Sequence, residues 1–212
     1  MLIKFKIKHP KKFKFLKEGI VFLLIFIITF GITFTIFNGR AFYNQVKYAL
    51  RVGIEQTEEF LKTLPISKDN LYDIPNSLVL PKININAPIV FADTTNSKII
   101  FNKLEQGVVH YPNSVVPGQI GNTVLLGHSS AYPWYKGNYG SVFALLNRLE
   151  QNDEIIVFYE KHKYIYKVQS KEVINNQVYI SEQNKKSQII LLSCWPVGTA
   201  WKRILIKGVL TR

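Results

Sequence analysis

Two apolar runs near the C-terminus, separated by a short break, constrain the fold more than any other part of the chain. The first run, QIILLS (188–193), ends at Cys194, and the second, KRILIKGVL (202–210), has Arg203 as its second residue. Runs of this length, rich in Ile, Leu and Val and bounded by Pro and Gly, are typical of buried strands. If the two strands pair antiparallel, Cys194 and Arg203 face each other at one rim of a sheet, about 4.5–5.5 Å apart at Cβ.

A second constraint is the 18-residue apolar run IVFLLIFIITFGITFTIF (20–37). As a helix it would span about 27 Å, close to the hydrocarbon thickness of a bilayer. The preceding residues 1–19 form a lysine-rich tail, which predicts a cytoplasmic N-terminus and a domain outside the cell. The alternative is a cleaved signal peptide. The sequence NGRA (38–41) is a poor small-x-small cleavage site, so we expect an uncleaved single-pass anchor in the cell membrane.

Charge and cysteine content narrow the function further. The formal net charge is +13, and residues 1–40 hold eight basic residues against Glu18 alone. The remaining excess is scattered rather than clustered on one predicted face, which argues against nucleic-acid binding. Because Cys194 is the only cysteine, the chain has no internal disulfide, and a lone thiol outside the cell is unusual.

Residues 38–76 connect the anchor to the folded domain. Apolar residues at positions 42, 46, 49/50, 53, 57 and 60/61 have helical spacing, which predicts an amphipathic stalk helix. Two prolines within residues 63–76 then mark a linker.

The folded domain, residues 77–212, is predicted to be mainly β. In its first half, the pattern predicts two short strands within 78–90 broken at Pro81, a helix over 97–106, and strands at 108–109 and 122–127. A short amphipathic helix over 140–149 follows, and then a hairpin of 154–159 and 164–171 with its turn at 160–163. A polar loop over 172–187 leads to the two C-terminal strands. Seven or eight short strands with only short helices predict a closed β-barrel.

One histidine occupies a position comparable to that of Cys194. His128 follows an apolar strand at a glycine, which is another rim position. His110 lies between a strand and a turn, where we expect a packing role, and neither His9 nor His162 is assigned a role. A thiolate attacks carbonyls, an imidazole can move the proton, and a guanidinium can hold the carbonyl oxygen. Cys, His and Arg together supply the parts of an acyl-transfer centre.

Other chemistries have little support in the sequence. No set of Cys and His residues has the spacing of a zinc site, and no glycine-rich phosphate loop is present. We therefore expect neither a metal nor a cofactor. Residues 110–120 contain no acid and residues 173–187 contain only Glu182, so we also expect no calcium dependence.

The segments NTVLLGH (122–128), LLSC (191–194), Arg203 and LPKININAPIV (80–90) resemble the sortase family over residues 78–210. The resemblance implies an eight-stranded barrel and cysteine transpeptidation, with His128, Cys194 and Arg203 in the catalytic positions. Ser193 stands where the family usually has Thr, and it keeps the hydroxyl as a candidate substrate-binding group. The anchored N-terminus and short C-terminus are similar to housekeeping or class D/E-like members.

The resemblance also implies the substrates. They would be surface proteins bearing a C-terminal sorting signal, whose acyl group passes to an amine such as a cell-wall peptidoglycan precursor or a pilin lysine. Two alternatives remain open. One is another cysteine acyl-transferase such as an L,D-transpeptidase, although that family places its His within a few residues of the Cys. The other is a non-catalytic adhesion domain, although such a domain has no need of a lone thiol.

Overall fold

The computed structural model describes residues 12–50, 76–132, 135–175 and 185–211. The chain separates into two compact units, Met1–Phe37 and Asn38–Arg212. The described part of the first unit is helical, and the second unit holds the β-structure.

A single helix, α1 (Lys12–Leu50), contains the apolar run predicted to be an anchor. Its stretch Lys17–Phe37 has a mean hydropathy of 2.8 and is not buried against any other described part of the chain. At 1.5 Å per residue these 21 residues span about 31 Å, which matches the bilayer hydrocarbon. The hydroxyl of Thr29 donates to the carbonyl of Ile25 at 2.8 Å, so this polar group is satisfied within the helix. By length and composition this segment can cross a membrane, which suggests membrane anchoring.

The second unit contains a closed barrel of eight strands, and this confirms the predicted fold class. The strands are β1 (Ser77–Leu80), β2 (Ile85–Phe91), β3 (Val108–His110), β4 (Gly121–Leu126), β5 (Glu154–Tyr159), β6 (His162–Asn175), β7 (Ser187–Trp195) and β8 (Lys202–Leu210). Their order around the barrel is β1-β2-β3-β4-β7-β8-β6-β5. Helix α2 (Ser97–Leu104) connects β2 to β3, and short 3-10 helices occupy Pro81–Ile83 and Leu146–Arg148.

Alternate residues of each strand fill the barrel. Ile189 and Leu191 of β7 and Ile204 and Ile206 of β8 all belong to the interior core. Their neighbours in sequence face outward, because successive side chains of a strand point to opposite sides of the sheet. The apolar runs from which these two strands were predicted therefore also supply part of the barrel core.

The C-terminal part of α1 packs against this barrel. Ala41 is 2% exposed, and the Asn44 side-chain amide donates to the hydroxyl of Ser141 at 3.0 Å. The ring of Tyr48 packs on the barrel core and lies under the guanidinium of Arg148, 5.7 Å from the ring centroid. Small and polar residues at this spacing let the helix approach the barrel closely.

Phe42 and Val46, the first two apolar positions of the predicted stalk helix, lie within α1 and are 45% and 53% exposed. The remainder of the predicted stalk helix after residue 50, and the linker up to residue 75, lie outside the described residues.

Two local predictions also differ from the structure. Residues 140–149 form turns followed by the 3-10 helix Leu146–Arg148, not an α-helix. The N–H of Phe143 donates to the carbonyl of His128 at 2.8 Å, so this N–H does not form a helical hydrogen bond within residues 140–149. Strand β6 continues to Asn175, into the region predicted as a loop, and residues 176–184 are outside the described part.

Candidate active site

The pairing of β7 with β8 brings Cys194 and Arg203 together. The two strands are antiparallel, and their register places Cys194 directly opposite Arg203. This confirms the pairing predicted from the two apolar runs. It also places both residues at the end of their strands, next to the loop of residues 196–201 that joins them.

The pairing of β4 with β7 brings His128 to the same place. These strands are parallel, with Leu126 beside Leu192. The N–H of Gly127 donates to the carbonyl of Leu192 at 3.2 Å, which continues the ladder beyond the end of β4. One further step in this register places His128 beside Cys194. His128, Cys194 and Arg203 therefore lie in a row at the same end of three adjacent strands.

The three residues share the outer face of the barrel. Ile190 and Leu192 lie on the side of β7 away from the core, and Cys194 continues this alternation. Arg203 stands two residues before the outward-facing Leu205, and His128 stands two residues after the outward-facing Leu126. Outer-face apolar side chains leading up to this row form a compact group, here called the outer cluster: Val124, Ile190 and Leu205, with Tyr111, Leu126, Ile174 and Leu192 packed against them.

The imidazole of His128 contacts two aromatic rings. The Phe101 ring of α2 is 5.8 Å away between centroids, at an interplanar angle of 30°. The centroid of the Tyr135 ring is 5.3 Å from that of the imidazole, and the two ring planes meet at 86° in an edge-to-face arrangement. Nε2 of His128 is shielded from solvent and has no hydrogen-bond partner among the described residues. Burial lowers the pKa of His128 below its ordinary 6.5, so the imidazole is neutral at neutral pH.

Tyr135 is held over His128 by a glycine-rich segment. Its hydroxyl is also shielded and has no hydrogen-bond partner in the described part of the chain. Burial, together with the negative charge of Glu105, raises the pKa of Tyr135 to about 12, so the hydroxyl keeps its proton. A Cβ on Gly137 would lie 2.4 Å from the carbonyl oxygen of Glu105, and this contact fixes the segment against the end of α2.

The backbone on either side of His128 is also fixed. The ring of Phe143 lies against Gly127, where an added Cβ would come within 2.4 Å of it. The hydroxyl of Ser130 accepts a hydrogen bond from the N–H of Gly198 at 3.1 Å, which connects this segment to the β7–β8 loop. Main-chain and packing contacts, rather than side-chain bonds to the ring, therefore position the imidazole.

Arg203 holds the loop that precedes it. Its Nη1 donates to the carbonyl of Ala200 at 3.0 Å and to that of Lys202 at 2.9 Å. The guanidinium has five N–H groups in a planar fork, so these two bonds leave other donors to point at a substrate oxygen.

Ser193 does not fit the predicted substrate-binding role. Its side chain is buried, and its hydroxyl donates to the carbonyl of Gly127 at 2.7 Å. Because Gly127 precedes His128 and Ser193 precedes Cys194, this bond joins the two strand ends that carry the reactive groups. Its place in the structure is that of a positioning residue.

The other histidines lie elsewhere. His110 is buried on β3, its ring lies tilted against that of Phe91 with centroids 4.8 Å apart, and its Nε2 is 3.0 Å from the carbonyl oxygen of Val115. These contacts fit the packing role expected for it. His162 is exposed in the β5–β6 hairpin, and His9 lies outside the described residues.

Sequence reasoning missed Phe101 and Tyr135. They come from α2 and from the loop after β4, and no spacing rule brings these two segments to one point. The signal that was present is the aromatic and glycine-rich stretch AYPWYKGNYG (131–140), which follows His128 directly.

The row brings together a thiol, a neutral imidazole and a guanidinium held by two hydrogen bonds. A thiol can transfer its proton to a neutral imidazole as it attacks a carbonyl carbon. A guanidinium at the far side can stabilise the negative oxygen that develops. In the described ranges, no three His, Cys, Asp or Glu side chains are placed to hold a metal ion.

Comparison with known proteins identifies the family. The family model described as "Sortase domain" matches residues 78–211. A relative, sortase D of Bacillus subtilis, is 30% identical over 136 residues, which cover 62% of this chain and 61% of that protein. The chain thus spans about three fifths of that relative's length.

Solved sortase structures share the fold. Sortase C-1 of Actinomyces oris superposes with a TM-score of 0.56 at 21% identity, covering 75% of this chain and 84% of that one. Sortase C of Clostridium perfringens, solved with the C-terminal cell wall sorting motif, gives a TM-score of 0.54 at 20% identity, covering 80% and 97%. The barrel agrees with these structures, and the family match covers more than half of the sequence. The chain belongs to the sortase family.

Proposed function

We propose that this protein is a membrane-anchored cysteine transpeptidase that acts on C-terminal sorting signals of surface proteins. The thiolate of Cys194 attacks the carbonyl at a Thr–Gly-like bond, and Arg203 stabilises the oxygen. His128 takes the thiol proton and gives it to the leaving amine. The thioester that remains on Cys194 is then transferred to an amine of a peptidoglycan precursor or a pilin.

The observation that supports this proposal best is the row of three residues on adjacent strands. Two independent strand pairings support it: Arg203 pairs with Cys194 across β8, and the parallel pairing of Leu126 with Leu192 leads to His128 on the other side of β7. An acyl transfer needs the base and the oxyanion donor on different sides of the reacting carbon, because each serves a different atom of it. A structural role would not require a thiol between these two groups.

The proposed path of the donor peptide runs over the half-buried side of the outer cluster. Val124, Ile190 and Leu205 are 3–4% exposed, whereas Leu126 and Leu192 are half-buried and lie two residues before His128 and Cys194. This apolar surface beside the row favours an extended substrate that carries an apolar residue before the cleaved bond.

The anchor fits a domain outside the cell. The tail before the apolar segment is rich in lysine, and the positive-inside rule places such a tail in the cytoplasm. Protease treatment of intact cells, followed by detection of an N-terminal tag and of the barrel, tests this orientation. Digestion of the tag with survival of the barrel would overturn it.

Mass spectrometry of the full chain in detergent tests the chemistry. The purified protein is incubated with a peptide library built around a Thr–Gly bond, and the covalent adduct is mapped. We expect an acyl adduct on Cys194 that is absent from Cys194→Ala, and loss of adduct formation in His128→Ala. His162→Ala is the matched histidine control and should react normally, because His162 is exposed in the β5–β6 hairpin. An adduct that persists in Cys194→Ala would refute the assignment.

A further inference from the structure

A segment between β4 and β5, residues 139–149 and here called the capping segment, covers one end of the barrel core. Its side chains at 142–146 are all buried, and Phe143 and Leu146 belong to the interior core together with strand residues. The backbone forms turns and the short 3-10 helix rather than a regular α-helix. Because turns lack the continuous hydrogen-bond ladder of a helix or sheet, the position of this segment depends on what packs against it.

One part of the capping segment supports the backbone that carries His128. The N–H of Phe143 donates to the carbonyl of His128 at 2.8 Å. The ring of Phe143 lies where a Cβ on Gly127 would come within 2.4 Å of it. A Cβ on Gly140 would lie 2.9 Å from Cδ1 of Tyr135, whose ring meets the imidazole edge-to-face. The capping segment therefore contacts the residue before His128, the carbonyl of His128 itself and one neighbour of its ring.

Another part of the capping segment is held by the end of α1. Ala41, Asn44 and Tyr48 are spaced three and four residues apart, so they share one face of the helix. Ala41 is 2% exposed, and the amide of Asn44 donates to the hydroxyl of Ser141 at 3.0 Å. The ring centroid of Tyr48 lies 5.7 Å from the guanidinium carbon of Arg148. Ser141 is 6% exposed, so without Asn44 a buried hydroxyl loses this hydrogen bond.

These contacts form a continuous path from α1 to the imidazole. Ser141, which bonds to α1, stands two residues before Phe143, which bonds to His128. Ser141 and Phe143 are 6% and 1% exposed, and closely packed interiors transmit a displacement instead of absorbing it. Nε2 of His128 has no hydrogen-bond partner among the described residues, so the support of the backbone decides where the ring lies. A shift of α1 away from Ser141 should therefore move the imidazole relative to Cys194.

We propose that Asn44 and Tyr48 are positioning residues for His128, so that the end of α1 belongs to the structure of the proposed active site. This inference rests on the proposed transpeptidase function and adds a control of its first step. Both residues act through the capping segment and not on the reacting atoms. While α1 is packed on this segment, His128 is held where it can take the thiol proton of Cys194. When these contacts are lost, the barrel stays folded and thioester formation slows.

The rate of thioester formation is measured in the full chain in detergent, with a reactive peptide from the Thr–Gly library. Asn44→Ala removes the hydrogen bond, while Tyr48→Leu keeps apolar packing and removes the ring. A displacement of about 1 Å at a reacting group costs about a hundredfold, so the loss of one of two supports should lower the maximal rate by about fivefold to thirtyfold. KM should stay within about twofold of wild type, because the surface that receives the donor peptide is unchanged.

Two variants of α1 separate positioning from a general effect on the helix. Asn44→Asp should recover most of the rate, because its carboxylate still accepts a hydrogen bond from the Ser141 hydroxyl. Val46→Ala is the matched control and should react normally, because Val46 lies between Asn44 and Tyr48 in sequence and is 53% exposed. The double variant Asn44→Ala/Ser141→Ala should lose no more rate than the worse of its two single variants, because both remove the same contact.

Isotope-edited NMR of the histidine rings measures the displacement without any reaction. The His128 signal is identified by its loss in His128→Ala. Its chemical shift depends on the nearby rings of Phe101 and Tyr135, so it should move in Asn44→Ala and Tyr48→Leu, whereas the signal of the exposed His162 should not.

The outcomes distinguish the two proposals. An unmoved His128 signal together with wild-type rates in both Asn44→Ala and Tyr48→Leu, or equal changes in Val46→Ala, would overturn the positioning role and leave the transpeptidase proposal intact. Failure of the wild-type chain to form any thioester would overturn the proposed function itself, whatever the His128 signal does.

Discussion

Gly127→Ala is expected to damage both the stability of the barrel and the position of His128. The added Cβ would lie 2.4, 2.7 and 2.9 Å from three carbons of the Phe143 ring, well inside van der Waals contact. Phe143 cannot move away easily, because it is almost fully buried and its N–H is bonded to the carbonyl of His128. Either the ring or the end of β4 must shift.

The size of the effect follows from the contacts. Overpacking of a well-filled core by one methyl group costs about 1–3 kcal/mol. For a folded unit of this size, that loss lowers the melting temperature by about 2–12 °C. A displacement of His128 by about 1 Å would in addition slow thioester formation by about a hundredfold. The expected result is therefore a modestly destabilised protein with a much larger loss of activity.

The assay combines thermal unfolding of the full chain in detergent with the rate of thioester formation. Gly39→Ala is the matched control, because a Cβ at this helical glycine meets nothing within 4 Å. Phe143→Leu makes room at the clash, so the double variant Gly127→Ala/Phe143→Leu should be more stable than the sum of the single effects by about 0.5–3 kcal/mol. Additive effects in the double variant, or wild-type activity in Gly127→Ala, would refute the reasoning.

Three other outcomes are expected. Arg203→Lys should reduce transpeptidation by about a hundredfold although the charge remains, because an ammonium lacks the planar fork; a rate within about threefold of wild type would contradict the oxyanion role. Calcium should not raise the rate over that in chelator, because residues 110–120 contain no acid and residues 173–187 offer only Glu182; a several-fold rise at millimolar calcium would show a missed site. Burial lowers the pKa of His128, so below about pH 6.5 the unfolded chain binds a proton at this residue that the folded chain does not, and folding stability should fall as the pH drops. His128→Gln should remove part of this pH dependence, measured as the urea midpoint at several pH values. The same pH dependence in His128→Gln and wild type would contradict this reasoning.

The strands of the candidate active site could be predicted because their pattern is local. The runs around Cys194 and Arg203 are apolar, β-branched and bounded by Pro and Gly, and two neighbouring strands joined by a short loop pair antiparallel. That pairing alone fixes which residues face each other. The position of His128 was harder to predict, because the parallel pairing of β4 with β7 joins segments 66 residues apart in sequence.

The errors have a common physical cause, which is that tertiary contacts replaced the local preference. Residues 140–149 contain good helix formers, but five consecutive side chains, 142–146, are buried, so the segment has no exposed helical face. In α1 the apolar spacing after residue 38 predicted a helix but not the residues that contact the barrel. These are Ala41, Asn44 and Tyr48, because Asn44 finds a buried hydroxyl partner and Ala41 permits a close approach.

The row of the proposed site and the aromatic side chains beside it are positioned in different ways. Cys194, His128 and Arg203 are held by main-chain register between β4, β7 and β8, together with the Ser193 bond to Gly127. Such positions tolerate changes in surrounding side chains, because backbone hydrogen bonds set them. Phe101 and Tyr135 instead depend on a short helix and a glycine-rich loop, where sequence can vary without disturbing the barrel. Strand register therefore fixes the row of His128, Cys194 and Arg203, whereas the aromatic side chains beside His128 can change without disturbing the barrel.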